Sequence, residues 1–361
     1  MPSLPTYGFQ QRFTSEAPLV SILVPARNEA VNIARCVRSL LNQDYPNFEL
    51  LVLDDNSEDA TSSIVEMLGA PTEDPQRRLR LIKGEELPEG WLGKNFACYQ
   101  LFEAAKGEFL LFTDADTSHS VNALSSAVAA MYVEDAQLIT FFPLQQTLML
   151  GERLAVPLLQ IFTYGLLPTF LVPRNPSPAF SAANGQFMLF TRKAYEHIGG
   201  HQAVRGVVLE DVVLGRRIKQ AGFKLLLPDG RDAMTCRMYR SNGEVWRGFS
   251  KNLFAFFNFQ LGWLVLFLLL NLLIFVGPFF WLLLGFITQQ PASAEWLWLP
   301  LAQIVMGGII RLLHSTRYNF SLIDLFSQPV SIIYMTAIAI NSVRWKYEAT
   351  EWKGRKYRLH S

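Results

Sequence analysis

From residue 252 to residue 294 the chain runs for 43 positions without one Asp, Glu, Lys, Arg or His. Wound as an α-helix, that stretch measures about 65 Å, roughly twice the thickness of a bilayer's hydrocarbon core. Upstream of it, charges and turn residues recur as they do in ordinary globular domains. The chain therefore divides into a soluble domain of roughly 240 residues and a membrane domain behind it. Composition agrees: 50% of the 361 residues are hydrophobic and 17% charged, against about a quarter charged in the average soluble protein. So much apolar surface excludes intrinsic disorder. Three cysteines, Cys36, Cys98 and Cys236, make no even framework, which excludes a disulfide-stapled scaffold. A net charge of +1 supplies no field for nucleic acid, and none is expected as a partner.

The first eighteen residues have neither the basic start nor the apolar run of a cleaved signal. The soluble domain is thus expected to face the cytoplasm, and unpaired cysteines fit a reducing compartment. The expected boundaries are an extension over 1–18, a soluble domain over 19–250, membrane helices over 251–343 and a basic tail over 344–361. Three membrane segments are expected, at 262–287, at 295–310 extending to Leu313, and at 325–343, with 252–261 as an interfacial helix. The loop 311–317 and the tail, with Arg344, Lys346, Lys353, Arg355, Lys356 and Arg358, both read as cytoplasmic. Three spans would put the tail outside. Either the apolar run holds a hairpin broken near Asn271 or Gly277-Pro278, or the last segment does not cross fully. The charge-free stretch 154–173, interrupted by Pro157 and Pro168, reads as a helix lying on the membrane surface or lining an apolar groove.

Within the soluble domain, LVSILVP at 19–25 and FELLVL at 48–53 are short apolar runs of buried-strand type. Residues 79–83 and 108–113 read as third and fourth strands. Between them lie helical spacings over 28–41, to Leu68 after an Asn56 or Ser57 cap, and over 95–105. Strands alternating with helices imply a mostly parallel sheet covered on both faces, hence the α/β class. Such sheets bind ligands at the carboxyl ends of their strands.

Asp54 and Asp55 end the second strand, and Asp114 and Asp116 end the fourth, so all four converge on one edge. In Asp114-Ala-Asp116 the two carboxylates point the same way from extended chain and can face one cation. A divalent cation is what a nucleoside diphosphate requires to leave. The plainer alternative is an Asp-rich turn with a helix cap at Thr117 or Ser118. Further on, Glu210 and Asp211 open a helix that ends near Gly222; the helix dipole favours acids there, while a general base accepting a proton from a hydroxyl is the functional reading of Asp211. Arg237, Arg240, Trp246, Arg247 and Lys251 precede the apolar run. They serve as membrane anchors, or as a diphosphate clamp with an aromatic platform.

Taken in order, Pro25-Ala-Arg27-Asn28-Glu29, Asp54-Asp55-Asn56-Ser57, Thr113-Asp114-Ala115-Asp116, Asn184-Gly185-Gln186 with Arg192, Gly199-Gly200-His201 and Glu210-Asp211 resemble a family 2 glycosyltransferase of the GT-A fold. The resemblance covers roughly residues 18–250. Pro88-Glu-Gly-Trp91-Leu-Gly-Lys94, Arg237-Met-Tyr-Arg240-Ser241, Phe249-Ser-Lys-Asn252 and Trp352-Lys-Gly-Arg355 are similar to the membrane-bound subgroup associated with carotenoid and hopanoid glycosylation. It implies a nucleotide-diphospho-sugar transferase sheet domain followed by transmembrane helices. Pro25, Arg27, Glu29, Asp55, Lys94 and Asp114 would bind the nucleotide sugar, expected to be a UDP-sugar. Asp114 and Asp116 would hold Mg²⁺ or Mn²⁺, and Asp211 would be the base. Glu210, Gly185, Gln186, Arg237, Arg240 and Trp246 would meet the acceptor or the diphosphate. Arg237 stands where the family usually has Gln and Ser241 where it has Trp, which favours a single transfer over polymerisation.

The expected activity is therefore inverting, metal-dependent hexosyl transfer from a nucleotide sugar to a carotenoid or other polyisoprenoid lipid, by an integral protein of the plasma or an internal membrane. Lipid cannot leave the bilayer cheaply, at about 0.8 kcal/mol per CH₂. Ceramide, a glycerolipid or polyprenyl phosphate are alternative acceptors, the last supported by Arg205, Arg216 and Arg217. A non-catalytic sugar-nucleotide-binding membrane protein is the alternative of another class. Cys98 and His201 read as core or loop residues.

Overall fold

The computed structural model describes Leu4 and residues 17–166, 169–290, 293–318, 320–347, 350–352 and 355–357. Most of the expected 1–18 extension, Pro168, and Lys353 and Arg358 of the tail lie outside the described residues. Two compact units make up the chain: Met1–Gln146 with Leu167–Met238, and Thr147–Leu166 with Tyr239–Ser361.

The first unit opens β1 (Val20–Ala26), α1 (Ile33–Leu41), β2 (Phe48–Asp54), α2 (Thr61–Leu68), β3 (Leu79–Lys83), α3 (Gly93–Ala104) and β4 (Phe109–Phe112). Then come β5 (Thr117–His119), α4 (Ala123–Glu134), β6 (Leu138–Thr140) and β7 (Pro143–Gln145). The chain next contributes α5 (Leu150–Leu166) to the second unit. It returns with β8 (Met188–Thr191), α6 (Arg192–His197), α7 (Glu210–Gln220), β9 (Leu225–Leu226) and β10 (Gly230–Cys236). Seven strands form one sheet in the order β3-β2-β1-β4-β8-β6-β9, with β5, β10 and β7 in a smaller one. β1 runs parallel to both β2 and β4, with Ala26 level with Asp54 and Leu23 level with Phe112. Only β8 runs antiparallel to its neighbours in the large sheet. The mixed, mostly parallel α/β class read from the alternation is the observed one.

Alternate residues of each strand feed opposite cores. Ile22, Val24, Leu50, Val52 and Leu111 join Ile33, Val37, Leu40, Val65 and Ala127 beneath α1, α2 and α4. Leu23, Leu51, Leu53, Leu110 and Phe112 join Ala97, Leu101, Leu214 and Ile218 beneath α3 and α7. Burial on both faces is why these strands read as unbroken apolar runs rather than as alternating ones. Each such side chain contributes roughly 1.5–3 kcal/mol.

Two local expectations need correction. Helix α2 starts at Thr61, with Ala60 before it and no side-chain cap. Ser57 instead accepts the Asn28 N–H at 2.9 Å, so the cap candidate serves a loop. After Asp116, Thr117 and Ser118 cap no helix: they lie in β5, paired with β10.

The second unit gathers α5 with α8 (Asn242–Phe256), α9 (Leu261–Phe275), α10 (Gly277–Ile287), α11 (Leu299–Tyr318) and α12 (Gln328–Tyr347). In helix α5, Leu154, Ala155, Val156 and Leu158 are buried, and the helix packs against α8, α11 and α12. Pro157 does not end it. A proline takes away the N–H that would bond the carbonyl four residues earlier, which is that of Arg153. Arg311, wholly buried on α11, donates to that carbonyl at 3.0 Å. Arg153 itself pairs with Asp324 at 2.6 Å. Phe162 on Phe267 and Tyr164 stacked on Tyr318 complete the seam.

The expected interfacial helix at 252–261 is the end of α8 and a tight turn in which Asn258 and Phe259 take left-handed φ of 51° and 57°. Phe259 in that region is costly, and its ring packs edge-on against Phe254 at 5.5 Å. The expected 262–287 segment is likewise two helices, divided at Val276 before Gly277-Pro278. Among the described residues one helix, Glu295–Tyr318, is long and apolar enough to cross a bilayer. The pair α8 and α9 qualifies only if a 115° bend is taken as one span.

Candidate active site

The parallel register of β1, β2 and β4 sends the chain after each of them to the same edge of the sheet. There the segments after β1 and β2 are tied together. Arg27, 6% exposed, donates Nη1 to the carbonyls of Asp55 and Asn56 at 2.6 and 2.8 Å. The Glu29 N–H reaches Thr61 Oγ1 at 2.8 Å, and its carboxylate accepts from Asn32 at 2.9 Å. Asp55 is buried, its N–H donating to the Ala26 carbonyl at 2.8 Å. Asp54 is a brace, accepting from Ser62 Oγ at 2.7 Å and Ser57 N at 3.2 Å. Pro25, at the end of β1, faces a small cavity it lines with Lys94, Asp114, Gly185, His201 and Glu210.

Lys94 stands in the first turn of α3. Its ammonium lies 2.8 Å from Asp114 Oδ1 and 3.0 Å from Glu210 Oε1, joining the end of β4 to the start of α7. Burial opposes its charge, but the two carboxylates outweigh that and hold its pKa well above the usual lysine value. Burial also works against the Glu210 carboxylate, yet Lys94 pulls its pKa down. Asp211 has both oxygens engaged: Oδ2 accepts the Gly185 N–H and Oδ1 the Val212 N–H, each at 2.8 Å. Even so, burial first and the Glu210 charge second raise it to about 6. A Cβ on Gly185 would sit 3.0 Å from Lys94 Nζ, 3.5 Å from Asp211 Oδ2 and 3.6 Å from Glu210 Oε1. The absence of that side chain leaves one small space touching all three groups.

Asp116 is raised to about 7, by burial and then by Asp114. Its Oδ1 is buried with no hydrogen-bond partner, while the Cys236 thiol bonds the carboxylate. An orphaned carboxylate oxygen beside a second carboxylate suits a hard divalent cation. Mg²⁺-like ions take one or two protein carboxylates and complete their shell with phosphate and water. The donor set fits on that ground, although among the described residues no three acidic, His or Cys side chains gather as a protein-only metal cage.

Other expected residues have structural employment. Gln186 is buried, its amide oxygen accepting from Gln145 and Asn184 and its nitrogen 2.9 Å from Cys236 Sγ. Arg217 donates to the Ile198 carbonyl at 2.9 Å. Arg237 follows β10 directly, next to Cys236. Arg240 and Trp246 belong to the second unit. There the Arg240 N–H donates to Glu244 at 2.8 Å, while Ser241 Oγ accepts the Glu244 N–H at 3.2 Å. Ser241 thus N-caps α8, with Glu244 reaching back to the residue before the cap, which gives Ser241 a role that Trp could not fill. Trp246 packs on Tyr334 at 6.0 Å.

Near the carboxylates, sequence reasoning missed Asn95, and it read His201 as a core or loop residue, which its burial bears out, without foreseeing its contacts. Asn95, beside Lys94 and 1% exposed, donates to the carbonyls of Val204, Arg205 and Val207 at 2.8, 3.2 and 2.9 Å. It thereby braces the loop leading to Glu210. His201 bonds Tyr195 Oη through Nδ1 at 2.7 Å. Gly200, at φ 47°, admits no side chain, since a Cβ would lie 2.5 Å from the Tyr195 ring. Burial lowers His201 to about 3, so the ring lining the cavity is neutral.

Residues 21–199 match the family model described as Glycosyl transferase family 2. The "4,4'-diaponeurosporenoate glycosyltransferase" of Staphylococcus aureus strain MRSA252 is 24% identical over 349 residues, covering 94% of this chain and 88% of that protein. The same-named protein of strain USA300 is 23% identical over the same shares. Among solved structures, mannosyltransferase PcManGT from Pyrobaculum calidifontis, in complex with GDP-Man and Mn²⁺, superposes with a TM-score of 0.54 at 19% identity. It matches over 94% of this chain and 92% of its own. That likeness is one of fold, a GT-A sheet domain.

Proposed function

From the premise that the chain belongs to glycosyl transferase family 2 and is a glycosyltransferase, we propose that it moves a sugar from a nucleotide-sugar donor to a hydroxyl or carboxyl group of a polyisoprenoid membrane lipid. The observation that carries the reading is Asp211. Two backbone N–H groups fix its carboxylate, and it borders the space left by Gly185 with Lys94 and Glu210 alongside. Its pKa near 6 keeps it ionised at neutral pH yet more basic than an ordinary carboxylate, as a general base requires.

In this reading Asp211 takes the proton of the acceptor oxygen as that oxygen attacks the anomeric carbon. The bond from that carbon to the diphosphate breaks on the opposite face, so the sugar's configuration inverts. Asp114 and Asp116 would hold Mg²⁺ or Mn²⁺, which supplies positive charge to the departing diphosphate when bound. Lys94 adds a fixed ammonium next to Asp114, and Glu210 anchors that ammonium from α7. Arg27, Glu29 and Asp55, locked together at the ends of β1 and β2, would receive the nucleoside, with Pro25 beside them. Gly185 orients Asp211 through its N–H and, having no side chain, leaves Lys94 undisturbed between its two carboxylates. Gln186 supports the Cys236–Asp116 contact rather than the acceptor, and Arg237 remains a candidate for the diphosphate. Arg240 and Trp246 keep a proposed acceptor role on the resemblance alone.

A lipid acceptor is supported by the apolar helix Glu295–Tyr318 and by relatives named for a carotenoid acid that match through the helical region. The proposed location is a membrane, with the sheet domain in the cytoplasm. Arg217, spent on a backbone carbonyl, weakens the polyprenyl-phosphate alternative. The test is extraction of lipids from cells with and without the gene. One glycolipid should be missing without it and should return with the unaltered enzyme but not with Asp211→Asn. An unchanged lipid profile refutes the reading.

A further inference from the structure

Directly behind the Asp114–Asp116 turn lies a buried polar knot that the chemistry above does not use. Thr113 and Thr117 flank the turn, and the ring of His119 sits against both hydroxyls, Nε2 lying 3.1 Å from Thr113 Oγ1 and 3.0 Å from Thr117 Oγ1. Each hydroxyl proton already has a destination. Thr113 Oγ1 donates to the Gln186 carbonyl at 2.7 Å, and Thr117 Oγ1 donates to the Asp114 carbonyl at 2.7 Å. A carbonyl oxygen can only accept, so neither hydroxyl has a proton left for the other, 3.3 Å away, or for the imidazole. The single remaining proton that can serve both oxygens is one on Nε2. The backbone of His119 is tied to α1, because its main-chain N–H donates to Ser39 Oγ at 3.0 Å and Ser39 Oγ donates to the Cys36 carbonyl at 2.7 Å, while its ring lies against Phe187 at 6.0 Å.

We propose that His119 is a positioning residue for donor binding: its Nε2–H, shared between Thr113 and Thr117, locks the turn carrying Asp114 and Asp116 against the strand that begins after Gln186. The lock acts on the main chain at two points. Thr117 fixes the carbonyl of Asp114 itself, and Thr113 fixes that of Gln186, immediately after the Gly185 whose N–H orients Asp211. Without the Nε2 proton, three atoms bearing lone pairs would face one another in a site closed to water, a costly arrangement. The turn could relieve it only by moving. The proposal rests on the reading of Asp114 and Asp116 as donor-binding groups.

The test compares His119→Gln, whose side-chain amide keeps an N–H donor in reach, with His119→Leu, which has none. Mn²⁺-dependent UDP binding is measured by calorimetry on the full-length enzyme, together with steady-state transfer. His119→Leu should weaken UDP binding and raise the donor KM by tenfold or more, with kcat at saturating donor within about threefold; His119→Gln should recover most of the affinity. Simple loss of folded enzyme would lower kcat and leave KM alone, and that pattern overturns the proposal, as does equal UDP affinity in all three proteins. If the unaltered enzyme binds no UDP with Mn²⁺, the carboxylate reading itself fails and the proposal falls with it, an outcome told apart by the wild-type measurement. Independently of the variants' activity, ¹⁵N-histidine NMR of the unaltered enzyme, assigned by the signal lost in His119→Gln among five histidines, should give His119 protonated at Nε2. A ring protonated only at Nδ1 overturns the proposal.

Discussion

Replacing Asp211 by Asn sets two effects of opposite sign against each other. In the folded protein the carboxyl rises from 3.8 to about 6, which corresponds to on the order of 3 kcal/mol against the ionised form. Because the folded pKa lies above the unfolded one, the unfolded chain releases its proton first. Folding stability is therefore intact below about pH 4, declines as pH climbs towards 6, and stays reduced above that. Asn has no charge to bury and escapes this penalty. It returns about 1 kcal/mol, because its side chain has a single acceptor oxygen for the Gly185 and Val212 N–H groups. The variant should thus be more stable than the parent by roughly 1–2 kcal/mol at pH 7.5, and no more stable at pH 4. Transfer should fall by about 10²–10⁴, the usual worth of a general base, with nucleotide-sugar binding within threefold. Thermal unfolding at the two pH values, calorimetric donor binding and a radiolabelled transfer assay read the three quantities. Transfer within tenfold of the parent, or stability lost at pH 7.5, refutes the reasoning.

Gly185→Ala should still fold, because the methyl's one tight contact is with the end of the Lys94 side chain at 3.0 Å, yet lower transfer by roughly 10²-fold by pushing that ammonium off its place between Asp114 and Glu210; unchanged kcat/KM counts against the proposed site. Asp116 must ionise to hold a divalent cation, and its pKa near 7 predicts that Mn²⁺ affinity drops up to about tenfold per unit below pH 7. Calorimetry at pH 6 in two buffers of different ionisation enthalpy should then show up to one proton released, and none released refutes it. In the helical unit, Arg311→Met should strand the Arg153 carbonyl opened by Pro157, and Pro157→Ala should restore a partner. A double-mutant cycle by thermal unfolding in detergent should give a coupling of about 1 kcal/mol, and strict additivity argues against the pairing.

Wherever one strand's neighbours alone decided the outcome, the sequence was readable. Apolar runs ending in Asp54-Asp55 and in Asp114-Ala-Asp116 sit on parallel strands either side of β1, so the carboxylates had to share an edge. The bridge from Asp114 through Lys94 to Glu210 spans more than a hundred residues and obeys no local spacing. Asn95 looked like one more polar residue in a helix start, because its three carbonyl partners lie in a loop equally far along the chain. Gln186 carried the family's position but spends its amide on Gln145 and Asn184, a choice that depends on how β7 and β10 pair. In the apolar half, hydrophobicity marked where helices occur, and Gly277-Pro278 marked one break, but nothing local marked the turn after α8. The left-handed turn at Asn258-Phe259 and the division at Val276 follow from backbone geometry and Pro278. The fate of Pro157 was decided by an arginine 154 positions later.

Helix α5 has a consequence for how the polypeptide must be made. It leaves the ribosome before β8, yet its partners α8, α11 and α12 emerge only after the whole remainder of the sheet. At roughly 5–20 residues per second the gap to α8 alone is several seconds, during which a greasy rod bearing Glu152, Arg153 and Gln160 waits with no one to hold it. A chaperone or the lipid surface must shelter it in that interval. For the same reason, a gene cut short after Met238 would leave that rod permanently orphaned. Anyone seeking the sheet unit alone must deal with Thr147–Leu166 as well as the carboxyl-terminal helices, since both belong to the other unit.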